Sequence, residues 1–105
     1  MIVVSNFVPR GFDAMAIWPL ILIRPGVRND AGVIEHELVH YREQAWITPV
    51  WIGRYLLSRR FRLAAEARAY KRQIEGGSIT RESAASMLLN YRIGITYSQA
   101  FDALR

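Results

Sequence analysis

The segment from Val33 to Gln44 constrains the fold most, because it holds the only two histidines of the chain. They are His36 and His40, and Glu37 directly follows the first of them, which gives the pattern H-E-x-x-H. On a helix, residues four apart lie about one turn apart on the same face, so both imidazoles can reach one metal ion. Glu37 points roughly 100° away around the axis, where its carboxylate can address a water molecule on that metal. The pattern therefore predicts a helix that carries a zinc site.

The absence of cysteine limits the kind of metal site. The chain has 105 residues and no cysteine, so we expect one domain, residues 1–105, without disulfides or thiolate ligands. Zinc would then be held by histidine and carboxylate groups. No basic region typical of a signal peptide follows Met1, and the apolar runs at 14–23 and 45–57 are too short to span a bilayer. We therefore predict a cytoplasmic protein with no membrane span.

Apolar runs near the N-terminus predict three short strands, at residues 2–4, 12–18 and 20–24. Pro19 separates the last two and should lie at an edge or a bend. One of these strands could be an edge strand that a peptide joins by backbone pairing, and a plain core hairpin is the alternative.

Helices are predicted at 30–45, 49–58, 61–75 and 81–92, with a last short helix near the C-terminus. Asn29 or Asp30 should cap the first, and Thr48 the second, with Pro49 at its first position. The second helix is apolar nearly all round, so we expect it to be buried or at an interface. Contact with a membrane surface is the less favoured alternative, because Arg54 is its only charge before Arg59 and interfacial helices usually have a strongly charged face. The fold class is therefore α+β: a short N-terminal sheet of two or three strands, the active-site helix, and three to four further helices.

A catalytic zinc site usually has three protein ligands, and two histidines leave it one short. Without cysteine or a third histidine, the candidates are Glu66, Glu43, Glu75, Glu82 and the aspartates. Glu43 shares the face of the histidines but lies about 10 Å from His36 along the helix. Glu66 lies on the separate helix 61–75 between alanines, which allow close helix approach. Glu66 is the predicted third ligand.

The chain resembles the gluzincin branch of the zincin metallopeptidases in two motifs, His36-Glu37-Leu38-Val39-His40 and Glu66-Ala67-Arg68-Ala69-Tyr70. Its short length is similar to that of the minigluzincins and of small metallopeptidase-like proteins often encoded by phages. Segments similar to Ile23-Arg24-Pro25-Gly26 and Arg60-Phe61-Arg62-Leu63 recur in those proteins.

The resemblance implies a small zincin-like fold that binds Zn²⁺ through His36, His40 and Glu66. It also implies hydrolysis of peptide bonds in a peptide or protein substrate, with Glu37 as general base. By the same resemblance, the tail from residue 96 to 105 could cover the cleft.

The chain departs from the family in two ways. Relatives often carry Gln where this chain has Glu43, and the transition-state histidine of larger gluzincins is missing. The candidates for stabilising the oxyanion are therefore the phenols of Tyr70, Tyr55 and Tyr41, and the guanidinium of Arg42. For Tyr70, a core aromatic on its helix is the simpler reading.

Two other functions fit the sequence. The first is a non-catalytic binding module that zinc stabilises. The second is a small nucleic-acid-associated protein, because the net charge is +5 and Arg59-Arg60-Phe61-Arg62 is a dense basic run. Such runs are more often solvated helix starts, so nucleic acid is disfavoured as a partner. The sequence indicates no oligomeric state.

Overall fold

The structure is a computed structural model that describes all residues, 1–105. Three strands precede five helices, and short 3₁₀ turns lie at 25–27, 45–47 and 89–91. The strands are β1 Ile2–Val4, β2 Ala14–Ile17 and β3 Leu20–Ile23. The helices are α1 Ala31–Gln44, α2 Thr48–Leu57, α3 Arg59–Glu75, α4 Arg81–Leu88 and α5 Tyr97–Ala103. This order confirms the predicted α+β class.

The three strands form one sheet in the order β1-β3-β2. β1 is parallel to β3, whereas β2 is antiparallel to β3 and pairs Ala14 with Ile23 and Ile17 with Leu20. β2 is therefore an edge strand, and Pro19 lies in the turn that follows it, as predicted. Helix α1 packs against β2 and β3, so the edge strand runs beside the helix that carries the histidines.

Local side chains determine where most helices begin. Asp30 caps α1, because its carboxylate accepts hydrogen bonds from the backbone N–H groups of Gly32 and Val33. The Thr48 prediction is wrong. The 3₁₀ turn at 45–47 runs directly into α2, so Thr48 is the first residue of α2 and not its cap. The hydroxyl of Thr48 donates to the carbonyl of Ala45.

Helix α2 is less buried than its composition predicts. Trp51 is its only buried residue, while Val50, Leu56 and Leu57 are exposed. The reason is the small size of the chain: α2 packs on α1 and α3, and the remaining helices follow α3 instead of covering α2. None of the helices combines the length and the apolar character needed to cross a membrane.

The C-terminal tail belongs to the core instead of the cleft. Ala100 and Leu104 are buried in a cluster with Tyr70 and Leu88, and no residue of α5 lines the cavities beside the histidines. The expectation that residues 96–105 cover the site is therefore wrong, because the apolar side chains of α5 pack on α4.

Candidate metal centre

Helices α1 and α3 pack against each other and bring together the three residues predicted as ligands. Oε1 of Glu66 lies 3.0 Å from Nε2 of His36 and 3.1 Å from Nε2 of His40. All three residues are buried, and their donor atoms lie within 4.8 Å of one another. Ala65 and Ala69, on either side of Glu66, are also buried, and side chains this small permit the close helix approach.

The spacing and the chemistry of these donors suit zinc. Two imidazoles and one carboxylate are a common donor set of catalytic zinc sites. With bond lengths of about 2.0–2.1 Å, two ligand atoms on a tetrahedral ion are about 3.4 Å apart. The observed separations of 3.0 and 3.1 Å are slightly smaller, so modest side-chain shifts accommodate the ion.

Gln73 fixes the orientation of the His36 ring. Nδ1 of His36 donates to Oε1 of Gln73 at 2.9 Å, so a neutral ring carries its proton on Nδ1 and has a lone pair on Nε2. That lone pair faces the carboxylate of Glu66. A metal ion placed between this lone pair and the carboxylate would therefore be bound by both groups.

Glu66 and His40 shift each other's pKa values in opposite directions. Burial by itself would raise the pKa of the Glu66 carboxyl, but the charge of His40 and hydrogen bonds from both imidazoles hold that pKa well below its usual value. Burial would also lower the pKa of His40, but the charge and hydrogen bond of Glu66 outweigh it and raise that pKa above 6.5. The ionised carboxylate of Glu66 therefore favours a positive charge beside it, which a proton or a metal ion can supply.

Glu37 lies next to the cluster without joining it. It is buried, and burial raises the pKa of its carboxyl against the opposing charges of His36 and His40. It also lines two neighbouring cavities of about 340 and 420 Å³, which share Phe12, Ala14, His36, Glu37 and Tyr91. The two cavities form one cleft that passes Glu37 and follows the edge strand β2.

The predicted tyrosines have different surroundings. The hydroxyl of Tyr55 donates to Oε2 of Glu66, so Tyr55 orients the carboxylate. The ring of Tyr70 packs edge-on against His36 with centroids 4.3 Å apart. Tyr41 packs near Trp18 instead, and it lines neither cavity. The cationic candidate, Arg42, is exposed.

The other predicted candidates for the third ligand lie outside the cluster. Glu43 forms an ion pair with Arg68 at 2.7 Å and accepts a hydrogen bond from Trp51. Glu75 and Glu82 are exposed. In the basic run 59–62, Arg62 is half-buried with its guanidinium 5.7 Å from the ring centre of Tyr55.

Sequence reasoning missed Gln73, Gln44 and Tyr91. Gln73 lies seven residues after Glu66, two turns along the same face, and Gln44 lies four after His40, so both spacings carried a signal. Gln44 holds β2 against α1: its amide donates to the carbonyl of Ala16 at 2.8 Å, and its carbonyl accepts from the backbone N–H of Trp18 at 2.7 Å.

Tyr91 had no such signal. It lies in the 3₁₀ turn after α4, and its hydroxyl is 3.0 Å from that of Tyr70. Burial is the largest of the causes that raise the pKa values of Tyr91 and Tyr70, so both phenols stay protonated. The cleft therefore contains a neutral phenol pair close to Glu37.

Comparison of the chain with protein-family models, with curated proteins and with solved structures finds no significant match. The interpretation of the site therefore rests on its residues and their geometry.

Proposed function

We propose that the chain is a zinc-dependent metallopeptidase whose zinc is held by His36, His40 and Glu66. The contact of one buried carboxylate with Nε2 of both histidines, beside an open cleft, carries this proposal. A donor set of this kind leaves one coordination position for water or substrate, which distinguishes catalytic from closed structural zinc sites.

Glu37 is the general base. When bound, zinc polarises the scissile carbonyl and lowers the pKa of water to about 7. Glu37 takes a proton from the attacking water and delivers it to the leaving amine. Because burial raises the pKa of Glu37, its carboxylate is a stronger base than an exposed one. Burial thus suits the proton transfer.

The edge strand β2 positions an extended peptide. The carbonyl of Asp13 accepts from the backbone N–H of Arg24, so by alternation the odd-numbered residues pair with β3 and Ala14 and Ala16 face the free edge. The carbonyl of Ala16 already accepts a hydrogen bond from the side-chain amide of Gln44. Ala14 therefore offers the backbone groups that a substrate strand joins in the cleft.

Tyr91 is the group that we assign to the developing oxyanion. Its side chain lines both parts of the cleft, whereas the hydroxyl of Tyr55 is engaged by Glu66. The neighbouring hydroxyl of Tyr70 holds the Tyr91 phenol in place. Loss of one such donor typically lowers turnover about 100- to 1,000-fold.

Zinc content and cleavage of an unstructured protein test the proposal together. The wild-type protein should carry zinc and cleave the substrate, and a chelator should stop cleavage. Glu37→Gln should retain zinc and lose at least about 100-fold in turnover, while His36→Ala loses both. Unchanged turnover in Glu37→Gln would contradict the role of Glu37. Bound zinc without turnover in the wild type would favour the zinc-stabilised binding module instead.

A further inference from the structure

The side of α2 that faces away from the cleft exposes large apolar side chains. We call it the α2 outer face and define it by Trp46, Ile47, Val50, Leu56 and Leu57. Trp46 and Leu57 are each 90% exposed, and Ile47, Val50 and Leu56 are more than half exposed. Soluble monomers rarely keep such side chains together at the surface unless they bind something.

Three of these side chains lie in one stripe along α2, and Trp46 and Leu56 flank it. Ile47, Val50, Arg54 and Leu57 follow the spacing i, i+3, i+7 and i+10, which places them along one line of a helix. The one charged member, Arg54, has its guanidinium 4.5 Å from the ring centre of Phe61 on α3. The stripe is therefore apolar except for Arg54, whose guanidinium contacts the ring of Phe61.

The surroundings of the α2 outer face are basic. Residues 44–65 contain four arginines, at 54, 59, 60 and 62, and no acidic residue. Arg54, Arg59 and Arg60 are exposed, and so is Arg42 at the end of α1. The nearby acid, Glu43, is paired with Arg68. An anionic partner thus complements this part of the molecule.

We propose that the α2 outer face docks on an anionic lipid bilayer, with α2 lying in the plane of the headgroups. Interfacial helices combine an apolar side with basic residues, and here α2 supplies the apolar side while the start of α3 supplies most of the arginines. Tryptophan is enriched at that depth of a membrane. A second copy of the chain fits less well, because matching faces would bring the arginines of both copies together. Nucleic acid would use the arginines but leave Trp46 and Leu57 exposed.

The geometry of α2 determines where the cleft would lie relative to the bilayer. The opposite side of the helix, with Trp51, Ile52 and Tyr55, lines the cleft, and Leu56 belongs to both sides. A bilayer against the outer face would therefore lie next to the mouth of the cleft. The inference depends on the outer face alone and not on the proposed peptidase activity.

Vesicle flotation of the full chain tests the proposal, with vesicles of phosphatidylcholine alone or mixed with phosphatidylserine. We expect binding to the mixed vesicles, weaker binding as salt rises, and at least about tenfold weaker binding for Trp46→Ala/Leu57→Ala. The matched control is Leu89→Ala/Tyr97→Ala, which removes two exposed apolar side chains outside α2, in the 3₁₀ turn after α4 and in α5, and should bind like the wild type. All four side chains are exposed, and circular dichroism checks that each variant folds.

Three results would overturn the proposal. The first is no binding of the wild type to either kind of vesicle. The second is equal binding by the wild type and Trp46→Ala/Leu57→Ala. The third is reversible self-association of the wild type in sedimentation, lost in Trp46→Ala/Leu57→Ala, which would assign the face to a second copy.

Discussion

The contact between α1 and α3 and the outer face of α2 are opposite exceptions to the same rule. The first buries ionisable side chains, with Glu66 only 2% exposed, and the second leaves Trp46 and Leu57 90% exposed. Burial of charge opposes folding, and large apolar groups that stay exposed contribute almost nothing to it. A chain of 105 residues has little stability to spare. These are the two features on which we base the proposed ligands, a cation for the buried cluster and an anionic bilayer for the exposed face.

Glu66→Gln tests the buried cluster and should have the largest effect on zinc affinity. The substitution keeps the shape of the side chain but removes the charge that contacts both histidines. We expect zinc affinity to fall at least about 100-fold, beyond the usual loss for residues that only orient ligands. Competition with a chromophoric chelator measures it.

The matched control is Glu43→Gln, which removes a carboxylate on the same histidine-bearing helix but outside the cluster. It should leave zinc affinity unchanged. An equal loss in both variants would mean that overall charge, and not the position of Glu66, determines binding.

Leu88→Ala and Leu57→Ala compare the real core with the exposed face. Leu88 is fully buried, so its truncation should lower the free energy of unfolding by about 2–5 kcal/mol. Leu57 is exposed, so its truncation should change that free energy by less than about 0.5 kcal/mol. Urea denaturation of both variants measures this difference. A large loss for Leu57→Ala would show that the outer face is covered in solution.

The sequence predicted those parts of the molecule that depend on local spacing. His36 and His40 meet because one helix places residues four apart on one face, and Asp30 caps that helix because its carboxylate needs only the next turn. Glu66 could be selected because alanines flank it on a helix of its own. In each case, a single element carries the information.

The features that the sequence did not predict depend on contacts between separate helices and turns. The composition of α2 shows that it is apolar, but not that α4 and α5 leave one side of it open. Thr48 lost its capping role to a 3₁₀ turn that the sequence did not reveal. Tyr91 lies in a 3₁₀ turn where the sequence predicted continued helix, and the next residue, Arg92, has a φ of +55° that is uncommon outside glycine.

Tyr55→Phe tests whether Tyr55 orients the carboxylate of Glu66 in the buried cluster. It removes the hydroxyl that donates to Oε2 of Glu66 while it keeps the ring. We expect zinc affinity to fall about 10- to 100-fold, the usual range for a group that orients a ligand. Tyr41→Phe is the control, because Tyr41 packs near Trp18 away from the cluster. Similar affinities in the two variants would remove Tyr55 from this role.

The pH dependence of zinc binding should be the smallest of these effects. The pKa of His40 is raised above 6.5, so the metal-free protein keeps a proton there at pH values where a free imidazole has lost it. Zinc must displace that proton, so affinity should rise about tenfold per pH unit until the pH exceeds the pKa of His40. Glu66 adds nothing in this range, because its lowered pKa keeps it ionised. Chelator competition across neutral pH measures the slope, and a flat profile would contradict this coupling.

The most direct test of the zinc site is the X-ray absorption spectrum at the zinc K-edge, recorded on the protein with one equivalent of zinc. We expect two imidazole ligands and a carboxylate oxygen at about 2.0–2.1 Å, with one imidazole lost in His40→Ala. A spectrum with oxygen ligands alone, or one that His40→Ala leaves unchanged, would contradict the assignment of His36, His40 and Glu66 as the metal centre.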